Sequence, residues 1–336
     1  MKRVLVVGGA GYIGSHTCKA LARAGFEPVT LDNMSKGHRW AVRWGPLETC
    51  DILDADGLDG VMARCRPDAV VHFAALAYVG ESVTHPADYY RTNVVGSYNL
   101  LTAMVRHGAR RLVFSSTCAV YGVPEILPIS ERAPPAPVNP YGHTKLAVER
   151  MIADFGAAYG LAGVALRYFN ACGADPDGDI GEWHDPEPHL IPRALMAANG
   201  EISKLDIFGT DFPTADGTCV RDYIHVADLA DAHVRALRYL DRPERVAALN
   251  LGTGRGYSVR DIIAAVERRS GRSLPVQVAP RRPGDPPSLV ADGSLAANLL
   301  GFRPAHSDLE TILDTAWRWY IEGHRRVAAS QAAEAN

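Results

Sequence analysis

The sequence predicts an α/β fold, in which a doubly wound parallel sheet is joined to a smaller, mixed α/β lobe. Through the first half of the chain, short apolar runs rich in β-branched residues alternate with amphipathic segments. This alternation is typical of βαβ units, which cover a parallel sheet with helices. After Asn170, proline, glycine and loop segments become frequent, which indicates a second lobe of irregular structure.

The expected elements follow this pattern in order. Six apolar runs predict buried strands: RVLVVGG, EPVTLD, LETCDI, DAVVHFAA, RRLVFSST and GVALRYFN. Five amphipathic segments predict helices: 14–24, 89–107, 140–159, 226–240 and 259–270. Residues 1–170 are expected to form the sheet domain, to which a later segment near 218–255 returns. Residues 171–325 are expected to form the second lobe, and the alanine-rich segment 326–336 a flexible tail.

Composition and charge limit the kinds of partner. The 336 residues are 47% hydrophobic and 22% charged, with a formal net charge of −3. This balance predicts no bulk attraction to nucleic acid or acidic membranes, and no apolar run approaches the ~20 residues of a membrane span. Six dispersed cysteines without a CxxC pair favour reduced thiols over a disulfide framework. The sequence therefore predicts a soluble, cytoplasmic protein.

A glycine-rich turn lies between the first strand and the first helix. Gly8, Gly11 and Gly14 form a GxxGxxG pattern within VVGGAGYIGSH. Glycine allows a tight turn and a close backbone approach, and the N-terminus of the following helix can face a pyrophosphate. The pattern alone is also consistent with an ordinary strand–helix turn. Its place in the first βα unit favours dinucleotide binding in a Rossmann-type domain.

Carboxylates after the next two strands support this interpretation and select the cofactor. Asp32 ends the second strand, where a carboxylate can bond a ribose diol. Its charge would repel a 2′-phosphate, so NAD is favoured over NADP. Asp51 and Ile52 are expected to close the third strand beside the adenine.

A tyrosine and a lysine lie four residues apart in NPYGHTKLAVER, within a predicted helix. Tyr141 and Lys145 can therefore point into one site. Tyrosine has a pKa near 10, and lowering it by about three units needs roughly 4 kcal/mol. A positive charge about 4 Å away supplies roughly that energy in a partly buried site. An oxidised nicotinamide ring would add a second positive charge. The lysine is therefore expected to make the tyrosine a base.

The same spacing also arises by chance on exposed surfaces, so a further signal is needed. SSTCAVYG ends the preceding strand with Thr117, whose hydroxyl can bond the same substrate hydroxyl. A dinucleotide turn, a strand-end hydroxyl and a tyrosine–lysine pair together indicate movement of a hydride beside a proton. Tyr141, Lys145 and Thr117 are the predicted catalytic residues.

Motifs along nearly the whole chain carry a family resemblance: GGAGYIGSH, HFAA with VGES, SSTCAVYG, YGHTK, LRYFNA, DGTCVRDYIHVADLADAH, NLGTG and APRRPGD. The chain resembles the extended short-chain dehydrogenase/reductase family and, within it, the sugar-nucleotide 4-epimerases that act on UDP-glucose. DGTCVRDYIHV is quite specific to these enzymes. The resemblance implies a Rossmann fold, tightly held NAD, and interconversion of UDP-glucose and UDP-galactose through a 4-keto intermediate. Such an isomerase would serve galactose metabolism.

The resemblance also implies the contacts of both ligands. Cofactor contacts are implied for Gly8, Gly11, Tyr12, Ile13, Gly14, Asp32, Asn33, Asp51, Ile52, Phe73, Ala74, Ala75, Asn93, Ser115, Tyr141, Lys145 and Tyr168. Substrate contacts are implied for Thr117, Tyr141, Phe169, Asn170, His189, Leu190, Phe208, Arg221, Tyr223, Arg282, Asp285 and Leu289. Arg221 and Arg282 would bind the diphosphate, because guanidinium groups suit phosphate oxygens. Phe208 and Asp285 would lie at the uridine.

The sugar side includes a stretch that resembles a metal site only in composition. Phe169, Asn170 and His189 would surround the sugar by the same resemblance. His189 ends GEWHDPEPH, which contains two histidines and three carboxylates. The spacing matches no usual metal site and prolines interrupt the stretch, so no metal is predicted.

Alternatives differ at a few positions. Related dehydratases carry Asp-Glu after the threonine, and decarboxylases keep Glu at the second position, where this chain has Cys118 and Ala119. A non-enzymatic NAD-binding regulatory protein would not need Tyr141 and Lys145. AYVGES and AWRW are also similar to UDP-xylose/UDP-arabinose 4-epimerases, so a pentose substrate is the main alternative. Ala77 replaces a lysine common near the nicotinamide, which bears on the affinity for NAD.

Two further expectations concern substrate range and assembly. In the family, the position of Leu289 lines the sugar pocket, and a leucine there predicts room for an N-acetyl group, as in UDP-N-acetylglucosamine. The alternative is that neighbouring side chains fill this space. Helices 89–107 and 140–159 carry apolar residues beyond one stripe, which predicts a second buried face. These residues include Val94, Val95, Leu100, Leu101 and Val105. The family pairs these helices between subunits, so a homodimer is expected, with burial under the second lobe as the alternative.

Overall fold

The structure is a computed structural model, and it describes residues 2–241, 246–282 and 284–327. Its strands, in chain order, are β1 (Arg3–Val7), β2 (Glu27–Asp32), β3 (Leu47–Thr49), β4 (Ala69–His72), β5 (Arg111–Thr117), β6 (Ala162–Tyr168), β7 (Asn170–Cys172), β8 (Leu205–Phe208), β9 (Val220–His225), β10 (Val246–Leu251), β11 (Gly256–Ser258), β12 (Val276–Ala279) and β13 (Ser288–Leu289). Seven of them form one parallel sheet in the order β10–β6–β5–β4–β1–β2–β3. Because the chain winds outward from β1 in both directions, the predicted doubly wound fold is confirmed.

All six predicted strands are present in this sheet. β6 is buried along its whole length, as expected for a strand covered on both faces. The third strand is shorter than predicted, because β3 ends at Thr49. Asp51 and Ile52 therefore follow this strand instead of closing it. Cys50 N still donates to Asp32 O at 3.2 Å, which keeps the chain beside β2 as it leaves the sheet.

Eleven α-helices surround the strands in the described residues. They are α1 (Tyr12–Arg23), α2 (Ala55–Cys65), α3 (Val79–Thr84), α4 (Pro86–Tyr89), α5 (Gly96–Arg106), α6 (Pro140–Tyr159), α7 (Leu190–Ala198), α8 (Val226–Tyr239), α9 (Val259–Ser270), α10 (Ser294–Leu300) and α11 (Leu309–Arg318). α6 and α9 have the predicted bounds. The predicted helix 89–107 is divided, because a π-helical segment, Tyr90–Val95, separates α4 from α5.

Two hydrophobic cores lie on opposite faces of the sheet. On one face, α1 and α8 pack together, with Leu21 and Leu237 buried against the strands. On the other face, α2, α5 and α6 bury side chains that include Leu58, Leu101 and Ile152. Burial of each such side chain stabilises the fold by roughly 1.5–3 kcal/mol. The two cores hold the carboxyl ends of the strands in fixed positions.

The second lobe contains two small sheets. β11, β9 and β13 are neighbours in one of them, in which β7 also pairs with β9, while β8 and β12 form the other. Helices α7, α9 and α11 share a separate core with buried side chains such as Leu195 and Ile262. From the segment expected to return to the first domain, β10 joins the large sheet, whereas β9 belongs to the second lobe.

No helix among the described residues has the length and apolar character that crossing a membrane requires. The expected tail 326–336 falls largely outside the described residues. Only Arg326 and Val327 of that segment are described, and Arg326 Nη2 donates to Gly178 O at 2.7 Å.

Candidate active site

The carboxyl ends of the central strands meet at one edge of the sheet. β1 leads into the glycine-rich turn, β2 ends at Asp32, β4 precedes Phe73, and β5 ends at Thr117. Ligands of doubly wound sheets bind at this edge, where the strand order reverses. Here that point lies between β1 and β4.

The glycine-rich turn leaves no room for side chains at two positions. Gly8 has φ +81°, and a Cβ there would lie 2.6 Å from Ala74 N. A Cβ on Gly14 would lie 2.1 Å from Gly8 O. Gly11 is the N-cap of α1, and its first turn contains no acidic residue. The positive end of the helix dipole can therefore interact with an anion, which fits the pyrophosphate of a dinucleotide.

Two residues that begin α1 follow this turn. Tyr12 and Ile13 present the first N–H groups of the helix, which need a partner from outside the helix. The Tyr12 hydroxyl donates to Gly173 O at 2.6 Å. This bond ties the cofactor turn to the second lobe.

Asp32 lies at the end of β2 with its carboxylate buried. Oδ2 accepts from Ala10 N at 3.1 Å and Oδ1 from Met34 N at 2.9 Å. Burial raises the pKa of Asp32, and these two hydrogen bonds oppose that shift. Each oxygen retains acceptor capacity for a ribose hydroxyl, because an ionised carboxylate offers about four lone-pair sites.

The expected adenine side is formed by the segments after β2 and β3. Asn33 Nδ2 donates to Asp51 Oδ2 at 2.9 Å, and Leu53 N donates to Asp51 Oδ1 at 2.8 Å. Ile52 is buried, and its side chain lies against Gly96. These contacts hold Asn33, Asp51 and Ile52 together beside the Asp32 carboxylate, which is expected to bind the ribose.

The segment after β4 is held close to β1. The N–H groups of Phe73 and Ala74 donate to the carbonyl of the last β1 residue at 2.7 and 3.0 Å. Ala75 follows, half-buried. The Asn93 side chain accepts from Leu76 N at 2.8 Å and donates to Leu76 O at 3.0 Å. Asn93 therefore supports this loop, in addition to any contact with the cofactor.

The three predicted catalytic residues come together at the ends of β5 and α6. Lys145 Nζ donates to Ser115 O at 2.8 Å and lies 5.9 Å from the centre of the Tyr141 ring. The Thr117 hydroxyl accepts from Ala119 N at 3.1 Å and also faces the Tyr141 phenol. Ser115 Oγ and the Tyr168 hydroxyl share a short hydrogen bond beneath this group.

The pKa of the tyrosine differs from the sequence-based expectation. Burial raises the pKa of Tyr141 to about 12, although Thr117 lowers it in part. Burial also lowers the pKa of Lys145 to about 7, against the opposing effect of Glu149. The expected lowering of the tyrosine pKa assumed a charged lysine in a partly buried site, together with the positive charge of an oxidised nicotinamide. Desolvation of both groups reverses that balance in the protein alone, so activation of Tyr141 requires additional positive charge from a bound ligand.

An arginine cluster lies across the cleft in the second lobe. Arg221 Nη2 donates to Asp285 Oδ1 at 2.9 Å, and Nη1 donates to Pro286 O at 2.9 Å. The Arg282 guanidinium lies 4.0 Å from the centre of the Phe208 ring. The structure thus brings together the two arginines, the aromatic ring and the carboxylate that were assigned to the diphosphate and uridine.

The sugar side is lined by strand ends from both lobes. Leu289 pairs in register with Arg221 across β13 and β9. Its side chain is buried in a cluster with Phe169 and Cys118. Asn170 lies opposite Tyr223 across β7 and β9, and Tyr223 is buried beside them.

His189 and Leu190 lie at the start of α7, beside a group of side chains that could hold a metal ion. Glu182, His184, Glu187 and His189 each place a potential ligand atom within 4.8 Å of the others. Burial lowers the pKa of His189, but the two carboxylates outweigh this effect and raise it to about 10. No metal was predicted from the spacing; the fold nevertheless brings these four side chains close enough to hold one, because the proline-broken loop folds back on itself.

Comparisons with known proteins agree with this geometry. A sequence profile described as the NAD dependent epimerase/dehydratase family matches residues 4–252. The chain belongs to this family. It is 52% identical to a UDP-glucose 4-epimerase of Rhizobium leguminosarum bv. trifolii over 322 residues, covering 96% of this chain and 98% of that protein.

Solved structures of family members share the fold over the same extent. A UDP-glucose 4-epimerase from Brucella ovis in complex with NAD is 56% identical, with a TM-score of 0.92, and the match covers 95% of this chain and 98% of that one. The UDP-Glc/GlcNAc 4-epimerase of Campylobacter jejuni is 40% identical, with a TM-score of 0.83 and coverage of 96% and 100%. The family resemblance and the NAD cofactor are therefore confirmed.

Sequence reasoning missed several side chains at this family site. Tyr78 directs its ring toward His184 and His189, with centroids 6.3 and 6.2 Å away. Glu182 and His184 were not selected either, although Glu-x-His occurs twice within GEWHDPEPH. That repeated pair was a usable signal for the cluster. The contact of Tyr78 depends on tertiary structure, and no local pattern indicated it.

Proposed function

We propose that this chain interconverts UDP-glucose and UDP-galactose as an NAD-dependent 4-epimerase. The observation that carries the proposal is the convergence of Thr117, Tyr141 and Lys145 at the edge that also holds the glycine-rich turn. The names of the similar proteins support this activity. NAD, when bound, supplies a hydride acceptor and donor for C4 of the sugar.

Tyr141 is the proposed base. It would remove the proton of the 4-hydroxyl as the hydride leaves C4, and it would return the proton when the hydride is restored on the opposite face. Thr117, at the end of β5, would bond the same hydroxyl and fix its direction. Lys145 would hold positive charge near the phenolate, and its buried position makes that charge effective.

The second lobe would hold the nucleotide while the sugar turns. Arg221 and Arg282 would bind the diphosphate, and Phe208 with Asp285 would contact the uridine. In the structure, Asp285 accepts a hydrogen bond from Arg221, which holds this arginine in position for the proposed contact with the diphosphate. The sugar would lie between Tyr141 and the buried Leu289.

The activity is tested with a panel of UDP-sugars incubated without added cofactor, followed by chromatographic separation. UDP-galactose should yield UDP-glucose, because two opposite hydride transfers leave the bound NAD unchanged. Strict consumption of added NAD would indicate a dehydrogenase instead. Binding of NAD with no turnover of any sugar would indicate a regulatory protein, and turnover of UDP-xylose alone would support the pentose alternative.

A second substrate class is proposed from the side chain at position 289. Leucine is shorter than tyrosine by most of an aromatic ring, and Leu289 is buried beside Phe169 and Cys118 on the sugar side. The added space would admit a 2-N-acetyl group during rotation. The similar enzyme of Campylobacter jejuni, described as a UDP-Glc/GlcNAc 4-epimerase, supports this range. UDP-N-acetylglucosamine is therefore included in the panel, with slower turnover expected than for UDP-glucose.

A homodimer is proposed through the outer face of α5 and α6. Of the apolar residues behind this prediction, Leu100 and Leu101 lie in the chain's own core, whereas Val95 is 49% exposed. Tyr98 and Tyr159 add exposed rings, and Phe155 contacts both of them. An exposed apolar face of this kind is typical of an interface.

The assembly is tested by sedimentation of the parent chain and of Tyr98→Arg at micromolar concentration. The parent should sediment as a dimer and the variant as a folded monomer. A monomeric parent would contradict the proposal. Val278→Arg is the matched control, because it places an arginine on an exposed surface away from α5 and α6; this variant should sediment like the parent.

Two further aspects belong to this proposal. We assign the cofactor to residues 1–170 with a return through β10, and the UDP-sugar predominantly to residues 171–325. A cytoplasmic location is supported by six free cysteines, because such thiols persist in a reducing compartment.

A further inference from the structure

Four side chains in the loop before α7 form a cluster that the proton and hydride steps do not use. Glu182, His184, Glu187 and His189, called here the Glu–His cluster, place four potential ligand atoms within 4.8 Å of one another. The side chains of both glutamates are only 8% exposed. Two buried carboxylates need compensating positive charge, because unpaired charge in the interior is strongly destabilising. Burial lowers the pKa of both histidines, but the glutamates outweigh this effect and raise the pKa of His184 to about 9 and of His189 to about 10. Without an ion the histidines therefore supply this charge, and a metal ion would take the place of their protons.

The distances at His184 are long for hydrogen bonds. Its Nδ1 lies 3.4 Å from Glu182 Oε1, and it makes a long hydrogen bond of 3.3 Å with Glu187 Oε2. Ligands held tetrahedrally at ~2.0–2.1 Å from Zn²⁺ lie about 3.3 Å apart. The His184 contacts already have this spacing.

The contacts of His189 are closer. Its Nδ1 lies 2.8 Å from Glu182 Oε1 and 2.9 Å from Glu187 Oε1. An ion at the centre would widen these two contacts by about 0.5 Å, to the spacing of tetrahedral ligands. Small rotations of the side chains at the start of α7 are enough for a movement of that size.

The donor set indicates which ion would bind. Two imidazole nitrogens with two carboxylate oxygens form a mixed nitrogen and oxygen site, which suits Zn²⁺ better than Mg²⁺ or Ca²⁺. Two carboxylates also balance the charge of a divalent ion while both histidines stay neutral. Four protein ligands would complete the coordination, as in structural zinc sites.

We propose that the Glu–His cluster binds a structural Zn²⁺ ion. The site lies between the two cofactor loops, because the Tyr12 and Tyr78 rings are each 6.3 Å from His184. His189 is the N-cap residue of α7. The ion would therefore fix the start of α7, with Leu190, against both loops. It would affect substrate binding by holding these segments in position, and it would take no part in the reaction.

The direct test is the metal content of the untagged chain, since a histidine tag would itself bind zinc. Protein produced with supplemented zinc and dialysed against metal-free buffer should contain about one Zn²⁺ per chain by mass spectrometry. His184→Gln and Glu182→Gln should each lower the affinity for Zn²⁺ by at least about 100-fold. His85→Gln removes an exposed histidine outside the cluster, and it should keep the parent content.

A second measurement avoids variants that fail to fold. The metal-stripped parent chain is titrated with Co²⁺, and the intense visible absorption of tetrahedral Co²⁺ should saturate at about one equivalent. A stripped parent that binds neither ion at micromolar concentration would overturn the proposal, as would a folded His184→Gln variant with the affinity of the parent. Neither readout involves turnover, so the test is independent of the proposed epimerase activity.

Discussion

Removing the charge of Lys145 is expected to raise the pH at which catalysis begins. Its Nζ lies 5.9 Å from the centre of the Tyr141 ring. At an effective dielectric constant of ~20, a unit charge at that distance stabilises a phenolate by about 3 kcal/mol. This energy corresponds to about two pKa units. Lys145→Met should therefore shift the rise of kcat with pH upward by about two pH units.

The protonation of the lysine sets the conditions of the assay. Burial lowers the pKa of Lys145 to about 7, so the ammonium is lost above that pH when no ligand compensates. The ribose hydroxyls of bound NAD would accept hydrogen bonds from the ammonium and favour its charged form. The measurement is therefore made on protein loaded with NAD, whose content is checked after denaturation. Initial rates of UDP-galactose conversion are recorded from about pH 6 to about pH 10, the range in which a lysine-activated tyrosine titrates.

Lys204→Met is the matched control, because Lys204 is exposed in the second lobe and bonds Gln277. It should leave the pH profile unchanged. A Lys145→Met enzyme that retains NAD and rises at the same pH as the parent, with only a lower plateau, would refute the electrostatic role.

Three other outcomes are expected. Tyr141→Phe should lower kcat by about 10²–10⁴ while NAD and UDP still bind, because only the proton-transfer group is lost; near-normal turnover would exclude this base. Leu289→Tyr should suppress turnover of UDP-N-acetylglucosamine and largely spare UDP-glucose, and equal loss on both substrates would contradict the pocket-size argument. Acidification from about pH 6.5 to about pH 4 should lower the melting temperature, because unfolding allows buried neutral histidines to take up protons. Burial holds the pKa of these groups far below 6.5 in the folded chain: His72 at about 3, His225 at about 3, His16 at about 4 and His233 at about 4. Their stabilising contribution is complete above pH 6.5 and is lost as the pH falls toward these values, and a melting temperature independent of pH in this range would contradict it.

The sequence alone determined the elements that local chemistry specifies. α6 begins at Pro140 because the Asn139 side chain accepts from Gly142 N at 2.9 Å, and it ends before Gly160, which adopts φ +69°. Both signals are readable in a short window of sequence. The glycine-rich turn is equally local, so the parallel sheet and the NAD-binding edge could be predicted before any contact was known.

Tertiary structure alone decided the electrostatics of the site. Whether Tyr141 is a strong or weak acid depends on burial by residues far away in the chain, which raises its pKa, whereas the expected lowering included the charge of a bound nicotinamide. The contact of Arg221 with Asp285 spans 64 positions, and the rings of Tyr78 and His184 meet across two lobes. Local patterns specify backbone conformation because its hydrogen bonds close within a few residues. Desolvation and charge pairing depend on all the groups that surround a side chain in space, so their effects on pKa values follow only from the folded chain.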